Sequence, residues 1–442
     1  MKHLFLLTSV IILLSATGIM AQDQSPGDSL TVNQAVERVL ASNPSIFQAA
    51  HAIDAAKAQV DVSRSSLYPN ANISLGYTRI GPVPSIAFPG FGIFQLAPYN
   101  NFDEHLAVND MVYDFGRRQK GIDLAKTQVL STQDRLQLVR QDLAYQTINT
   151  FYAMLFMERS IKVQNDEINT LTQHLLITQK MVAAGTATAF DVLTTQVRVA
   201  AAEDQKISLE NSLANLEIAF RRLLGLPAGA PVNLAGEFSE APIGLNLDSL
   251  LTVAMEDRIE IRAANDQIAT ARAQYNIASV VDNPSLNVAL EYGFKNGYEP
   301  NLNAWLGNYV AAVQLQVPIS KVVPFFGGYQ RQNMEQEFRA NIQAAEANKK
   351  SVIQQVTASV EKGVADLHSS MDRLQTTDIT VQQAETALKL ARIRYEAGTI
   401  TNLDLLDAET AVAQARLERL QALYTYVIGR YELQQAIGEK AW

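Results

Sequence analysis

Residues 122–184 contain neither glycine nor proline, and neither do residues 186–224. Both stretches are rich in Ala, Leu, Gln and Glu, which predicts helices far longer than the usual three or four turns. At 1.5 Å per residue, a helix from Arg117 to Val182 is on the order of 100 Å long and one from Thr188 to Leu224 about 55 Å. Such a helix outruns any globular core and needs neighbours along its length. The apolar spacing provides for them. Ile161, Gln164, Ile168, Leu171, Leu175, Thr178 and Val182 alternate steps of three and four, as do Leu403, Leu406, Thr410, Ala413, Leu417, Leu420, Tyr424, Val427 and Tyr431, and seams of this kind make coiled coils.

The pattern occurs twice. YEAGTITNLDLLDAE (395–409) repeats VAAGTATAFDVLTTQ (182–196), and Ala184/Ala397, Gly185/Gly398, Thr186/Thr399, Thr188/Thr401, Asp191/Asp404 and Leu193/Leu406 are identical pairs. AAKAQVDVSRSSLYPNANISLGY (55–77) likewise lines up with TARAQYNIASVVDNPSLNVALEY (270–292). A tandem repeat of this period fixes the architecture to be sought. The first half is expected over 22–225 and the second over 249–442, joined by the Pro/Gly-rich linker 226–248. Each half opens on a shorter helix, about 31–66 and 250–281. The second half then has a long helix from about Tyr329 to Tyr395, interrupted by Gly363, and a last helix from Thr401 to about Ile437.

Between the short and long helices the period changes to two. Leu286, Val288, Leu290, Tyr292 and Phe294 alternate with Asn287, Ala289, Glu291, Gly293 and Lys295, and Val313, Leu315, Val317 and Ile319 alternate with Gln314, Gln316 and Pro318. These are half-buried strands. The expected pairs are 71–80 with 104–115, a bulge falling at Asn109-Asp110, and 284–295 with 308–319; segments 79–104 and 296–308 are their loops. Ten to twelve residues suffice to cross a hydrocarbon core when tilted. Asn287, Glu291, Lys295, Gln314 and Gln316 are then candidates for a lumen, and Leu286, Val288, Leu290, Val313, Leu315 and Val317 for lipid, since the reverse puts charge into hydrocarbon. Four strands cannot close a barrel and open edges cannot face lipid. A membrane protein built this way is an oligomer, with a dimer as the minimum and a trimer giving twelve strands. The alternatives are a secreted α+β protein whose strands pack on its own helices, or a periplasmic adapter or other envelope protein with long helical hairpins, although adapters lack two symmetric strand pairs.

Residues 1–21 read as a secretory signal peptide, with Lys2, an apolar run from Leu4 to Leu14 and Ala21 before a polar QDQ. Without Lys2 the mature chain has 35 basic against 45 acidic residues, a net −10, which argues against a nucleic-acid partner. There is no cysteine, hence no disulfide, no thiolate metal site and no lipidated N-terminal Cys. No later run reaches the length of a transmembrane helix. Catalytic signatures are missing: His51, His105, His174 and His368 are scattered without HExxH spacing, no Walker A motif occurs, and Gly90-Phe91-Gly92 lacks the third glycine of a dinucleotide loop. No catalytic residue, cofactor or metal is expected.

In its tandem repeat, its strand pairs, MVYDFGRR (111–118), VPFFGGYQ (323–330) and above all the AGT-x-T-x-x-D-[VL]-L combination, the chain resembles the TolC family of outer-membrane efflux proteins over essentially its whole mature length. The resemblance implies a mainly α protomer with a small β part. Three protomers would form a twelve-strand outer-membrane β-barrel, continued by a periplasmic α-helical barrel. It also implies an exit duct of a tripartite efflux or type I secretion system, with a homotrimer, a periplasmic adapter (membrane fusion) protein, an inner-membrane RND, ABC or similar transporter, and outer-membrane lipid as partners. The cargo is not legible.

Gly185 and Gly398 stand where a long helix needs a positive φ to end. Thr188-x-x-Asp191 and Thr401-x-x-Asp404 have the spacing of capping boxes that start the next helix. The repeated segment is therefore a helical hairpin first. By resemblance the two hairpins, 182–191 and 395–404, form the periplasmic tip. There Ala184, Gly185, Thr186, Ala397, Gly398 and Thr399 would meet the adapter, and Asp404, Asp407 and Tyr395 would line the constriction. Three chains would bring six carboxylates into a narrow pore, favouring cations and raising some of their pKa values. Asp404 doubles as a cap, which leaves Asp407 as the freer pore charge. Ile400 stands where the family has a basic partner for the tip aromatic, and Thr194 stands opposite Asp407 in the first repeat.

Overall fold

A computed structural model describes residues 29–240, 244–319, 325 and 328–440; the signal peptide over 1–21 and most of the VPFFGG part of segment 323–330 lie outside them. Two short helices begin the first half, α1 (Val32–Ser42) and α2 (Pro44–Ser65), then strands β1 (Asn70–Arg79), β2 (Ser85–Phe88), β3 (Gly92–Gln95) and β4 (Asn100–Tyr113). The long hairpin of α3 (Arg117–Ala183) and α4 (Ala189–Leu223) follows. The second half runs α5 (Leu247–Asp257), α6 (Ile259–Val280), β5 (Ser285–Lys295), β6 (Leu306–Gln316), α7 (Gly328–Glu396) and α8 (Asn402–Ala436). The 67 residues of α3 and the 69 of α7 each span on the order of 100 Å.

The sequence predicts one opening helix per half, but each is two. Pro44 forces Asn43 out of the helical region, to φ −71° and ψ 128°, and the Asn43 side chain caps α2 by accepting from the Ser45 N–H at 3.0 Å. No proline marks the second break at Arg258, which has φ −67° and ψ 121°. Here the contacts are tertiary: the Arg258 guanidinium donates to the Gln435 carbonyl at 2.7 Å, and Gly438 lies so close that a Cβ on it would meet the Asp257 backbone at 2.9 Å.

Along the helical part the packing order is α4, α3, α8, α7. The main core gathers Val36 and Val39 of α1, Ile148, Phe151 and Met154 of α3, Phe220 of α4, Val360 and Leu367 of α7, and Leu433 of α8. A smaller cluster, Leu171, Ala202 and Leu406, lies toward the hairpin ends. The seam on α3 is shifted from the predicted one. Gln164, Leu171 and Thr178 are buried as expected, but their partners are Ser160 and His174, while Leu175 is only half-buried. At the outer edges α4 exposes Phe190, Leu193, Val197, Ile207 and Ile218, and α7 exposes Ile379, Leu390 and Ile393.

The sheet is antiparallel, in the order β1-β4-β5-β6. Its register sets Ile73, Leu106, Tyr292 and Tyr309 in one row, and residues in register share a face. That face carries Leu286, Val288, Leu290, Val313 and Leu315, and with them Glu104, in register with Leu75 and Phe294, and Asp110, opposite Val288; the other carries Asn72, His105, Asn287, Glu291, Lys295, Gln314 and Gln316. Aromatics stand near both ends of the apolar face, Tyr77, Phe102, Phe294 and Trp305 at the loop end and Tyr113 and Phe115 at the helix end. The register shift falls between Met111 and Tyr113, not at Asn109-Asp110, which pair regularly with Ala289 and Val288. Segment 79–104 is likewise more than a loop, because β2 and β3 pair within it as a hairpin, with Phe88 edge-on to Phe94.

The segment DFGRR turns strand into helix. Phe115 and Gly116 take left-handed φ values of 54° and 87°. Buried Asp114 accepts from the Gly116 N–H at 3.0 Å and from the Arg118 N–H and Nε at 2.8 and 3.0 Å. Arg118 also donates to the Ser66 carbonyl at 2.8 Å and to the Met111 carbonyl, and Arg117 donates to the Val281 carbonyl at 3.3 Å. Two adjacent arginines thus tie the C-terminal ends of α2 and α6 to the foot of β4. Arg118→Leu should leave Asp114 a buried unpaired carboxylate and destabilise the chain by about 3–5 kcal/mol, read as a lowered thermal unfolding midpoint in detergent. Replacing Arg118 and Asp114 together should recover much of the loss.

Candidate functional site at the helical hairpin ends

The two hairpins are built alike. α3 ends at Gly185, φ 75°, where the Thr186 N–H donates to the Met181 carbonyl at 2.9 Å and the Gly185 N–H to the Val182 carbonyl at 3.0 Å. α7 ends at Gly398, φ 70°, with Thr399 N–H to Arg394 carbonyl and Gly398 N–H to Tyr395 carbonyl, both 2.9 Å. This paired arrangement of bonds satisfies the last carbonyls of a helix and requires a left-handed residue. Thr186 and Thr399 each donate a hydroxyl to the same carbonyl as their N–H, at 3.1 and 2.9 Å, which accounts for the threonine after each glycine. A Cβ on either glycine would touch nothing within 4 Å, so only φ demands glycine there. Ala184, Gly185, Thr186, Ala397, Gly398 and Thr399 are all exposed.

The next helix starts on a reciprocal cap in both hairpins. Asp191 Oδ2 accepts from the Thr188 N–H at 2.9 Å and its hydroxyl at 2.7 Å, while Thr188 Oγ1 accepts from the Asp191 N–H at 3.3 Å. Asp404 and Thr401 repeat this at 2.8, 2.7 and 3.2 Å. The Thr401 hydroxyl and N–H hold the Asp404 carboxyl below the usual carboxylate range. Asp407 is not the free charge expected from the sequence, because Arg198 of α4 reaches it at 2.7 Å. Both groups are well exposed, so the pair adds little stability, but it sets a guanidinium beside one of the two carboxylates.

A buried polar cluster lies behind these ends. His174 is only 4% exposed; its Nδ1 lies 3.1 Å from Glu409 Oε2 and its Nε2 2.8 Å from Asn402 Oδ1. Asn402 Nδ2 in turn reaches the Asp191 carbonyl and the Thr194 and Thr195 hydroxyls at 3.3–3.4 Å. Tyr395 is half-buried, with its ring 5.6 Å from the imidazole and its hydroxyl 3.4 Å from Asn402 Oδ1 and 3.7 Å from Met181 Sδ. Arg392 Nη2 lies 3.6 Å from Glu409 Oε1. Burial alone would push the His174 pKa down, but the hydrogen bonds to Glu409 and Asn402 and the Glu409 charge outweigh it, and the pKa is raised. A groove of about 690 Å³ opens beside the cluster between α3 and α7, with Leu405 and Glu409 of α8 at its base. Ile400 is half-buried.

The family model described as "Outer membrane efflux protein" matches residues 35–226 and again 250–439. The chain belongs to the outer membrane efflux protein family. It is similar to the outer membrane protein TolC of Vibrio cholerae, 23% identical over 409 residues that cover 92% of this chain and 89% of that one. It is also similar to the alkaline protease secretion protein AprF of Pseudomonas aeruginosa, 25% identical over 346 residues, 74% and 68% of the two chains. Among solved structures, CusC superposes with a TM-score of 0.79 at 18% identity, covering 92% of each chain. This efflux protein is thus an outer-membrane channel with a periplasmic helical extension, an exit duct for efflux or secretion.

Within the efflux protein the hairpins share backbone chemistry but not buried side chains. The offset between the repeats sets Asn402 against Ala189, Glu409 against Gln196 and His174 against Ala387. Sequence reasoning passes over His174 and Glu409 as isolated residues; the visible signal is that Asn402 and His174 are polar where their counterparts Ala189 and Ala387 are not. Gly398→Ala should lower the unfolding midpoint by the cost of forcing a side chain into the left-handed region, about 1–2 kcal/mol. Gly398→Asn, whose short polar side chain is tolerated in that region, should lose less in the same melt.

Proposed function

We propose that three copies of this chain close into a twelve-strand barrel in the outer membrane and a helical tube beneath it, and that the hairpin ends form its periplasmic gate and docking face. The observation that carries the reading is the four-stranded sheet itself. One face is largely apolar between aromatic ends, with Glu104 and Asp110 of β4 its two acids, yet β1 and β6 have open edges. In hydrocarbon those edges must be paired, and pairing β1 of one copy with β6 of the next pairs them all. The helices support the same closure, since α4 and α7 are the outer members of the packing order and both expose apolar side chains. The face with Asn287, Glu291, Lys295, Gln314 and Gln316 then lines the lumen, and the face with Leu286, Val288, Leu290, Val313 and Leu315 meets lipid.

At the other end, Ala184, Gly185, Thr186, Ala397, Gly398 and Thr399 offer small, exposed side chains against which a periplasmic adapter's backbone can approach closely. The adapter would couple the duct to an inner-membrane transporter of the RND, ABC or a similar class. Asp407 and Asp404 line the constriction with Tyr395 behind them, and the duct carries out no catalytic step. The name of the AprF relative points to secretion and that of the family to efflux; both fit one duct.

Purified protein should fractionate with the outer membrane, crosslink as a trimer and conduct ions across a planar bilayer; a monomer soluble without detergent overturns the reading. The gate has its own test. Asp407→Ala should weaken divalent-cation block of the conductance, whereas Arg198→Ala, which frees the Asp407 carboxylate, should strengthen it. Equal block in both variants and the parent removes Asp407 from the pore.

A further inference from the structure

Facing a carboxylate that also meets the Arg392 guanidinium, His174 is placed so that only the imidazolium donates to both of its partners. Asn402 cannot be turned round, because its Nδ2 lies against the Asp191 carbonyl, which can only accept, and against Thr194 and Thr195 hydroxyls that already donate to that carbonyl at 3.0 and 2.8 Å. Its Oδ1 therefore faces the imidazole Nε2, and the Glu409 carboxylate faces Nδ1. A neutral imidazole has one N–H and one lone pair, so one ring nitrogen would point its lone pair at an acceptor in a buried site. The imidazolium donates to both. The contacts also span the bundle: His174 belongs to α3, Asn402 and Glu409 to α8, Asp191, Thr194 and Thr195 to α4, and Tyr395 and Arg392 to α7.

We propose that protonated His174 is the positioning residue that clamps the first turns of α8 onto the α3–α4 hairpin and so holds the gate closed, the role a basic side chain at position 400 cannot play in a chain with Ile400. The clamp rests on the reading of the hairpin ends as the constriction, because the first turns of α8 carry Asp404 and Asp407.

The ionisable groups facing His174 are Glu409 from α8, Arg392, Tyr395 and Glu396 from α7, and Asp191 from α4, whose carboxylate is engaged by Thr188. On α3 the neighbours one turn away, Thr170, Leu171, Ile177 and Thr178, do not titrate. Arg392 Nη2 lies 3.6 Å from Glu409 Oε1, so this carboxylate faces a guanidinium on one side and the imidazole on the other. With the folded pKa above the ordinary histidine value, the clamp is complete below that ordinary value and is lost as pH rises through the raised one. The gate should open toward alkaline pH.

The test is single-channel recording of the full-length trimer between about pH 5 and about pH 9. The open fraction of the parent should rise about tenfold as the imidazolium is lost, the size expected for charge-assisted hydrogen bonds. His174→Gln should be open throughout with no pH step. Leu171→Ala, which loosens packing in the same region, should lower the melting temperature and keep the step. A conducting parent whose open fraction ignores pH and matches His174→Gln overturns the clamp and leaves the duct standing. A parent and variant that conduct at no pH overturn the duct instead, and the clamp is then decided by nitrogen NMR of histidine-labelled protein. There both ring nitrogens of His174 should be protonated at neutral pH, and a neutral ring overturns the proposal.

Discussion

The unsatisfied edges of a four-stranded sheet govern the rest of this structure. An unpaired backbone N–H or C=O is tolerable in water and costs several kcal/mol in hydrocarbon. A sheet with a largely apolar face between aromatic ends therefore cannot be a finished object in one chain. Closing it with copies of itself sets the circumference at the top. The helices below inherit that circumference, because each long helix is connected in the chain to a strand. The order α4, α3, α8, α7 is then a strip waiting to be rolled, with apolar side chains left on its two margins.

Transmitting the barrel's geometry to the tube falls to a few polar groups at the strand-to-helix turn. Asp114, Arg117 and Arg118 occupy the one level where strand ladders have stopped and helix ladders have not begun, so carbonyls of Ser66, Met111 and Val281 would otherwise lack donors. Guanidinium groups suit this because each presents several donors in a plane. Positive φ values at Phe115 and Gly116 are the conformational cost of changing direction within two residues.

Elements governed by local periodicity were legible in the sequence. The long helices, the four sheet strands, the glycine-ended hairpins and the capping boxes all depend on residues within a few positions of one another. The break at Pro44 belongs in that class too, and reading 31–66 as one helix overlooks it. What was not legible depends on partners far along the chain. Arg258 breaks a helix through contacts with the C-terminal segment; Arg198 meets Asp407 from 209 positions away. His174 escapes notice because a heptad seam through Gln164, Leu171 and Thr178 can step either to His174 or to Leu175 between the last two, and apolarity alone selects Leu175 for the place His174 holds. The bulge beyond Met111 and the β2–β3 hairpin are set by cross-strand pairing, which no single strand encodes.

The repeat shows how one backbone solution serves two purposes. Gly185 and Gly398, Thr186 and Thr399, and the two Thr-x-x-Asp caps make hairpins of the same shape, so either could face a partner protein or a pore. What distinguishes them lies beneath. Ala189 and Gln196 contribute nothing to the cluster, whereas their counterparts Asn402 and Glu409 meet one imidazole. A buried polar cluster is strong when every donor and acceptor is matched and costly when one is not, so it holds one arrangement sharply and yields when a proton is removed. Apolar packing by Ile400 and its neighbours has no such dependence. A chain with Ile400 in place of a basic residue can therefore still have a switchable closure, provided that its charge is kept one layer deeper, where water does not screen it.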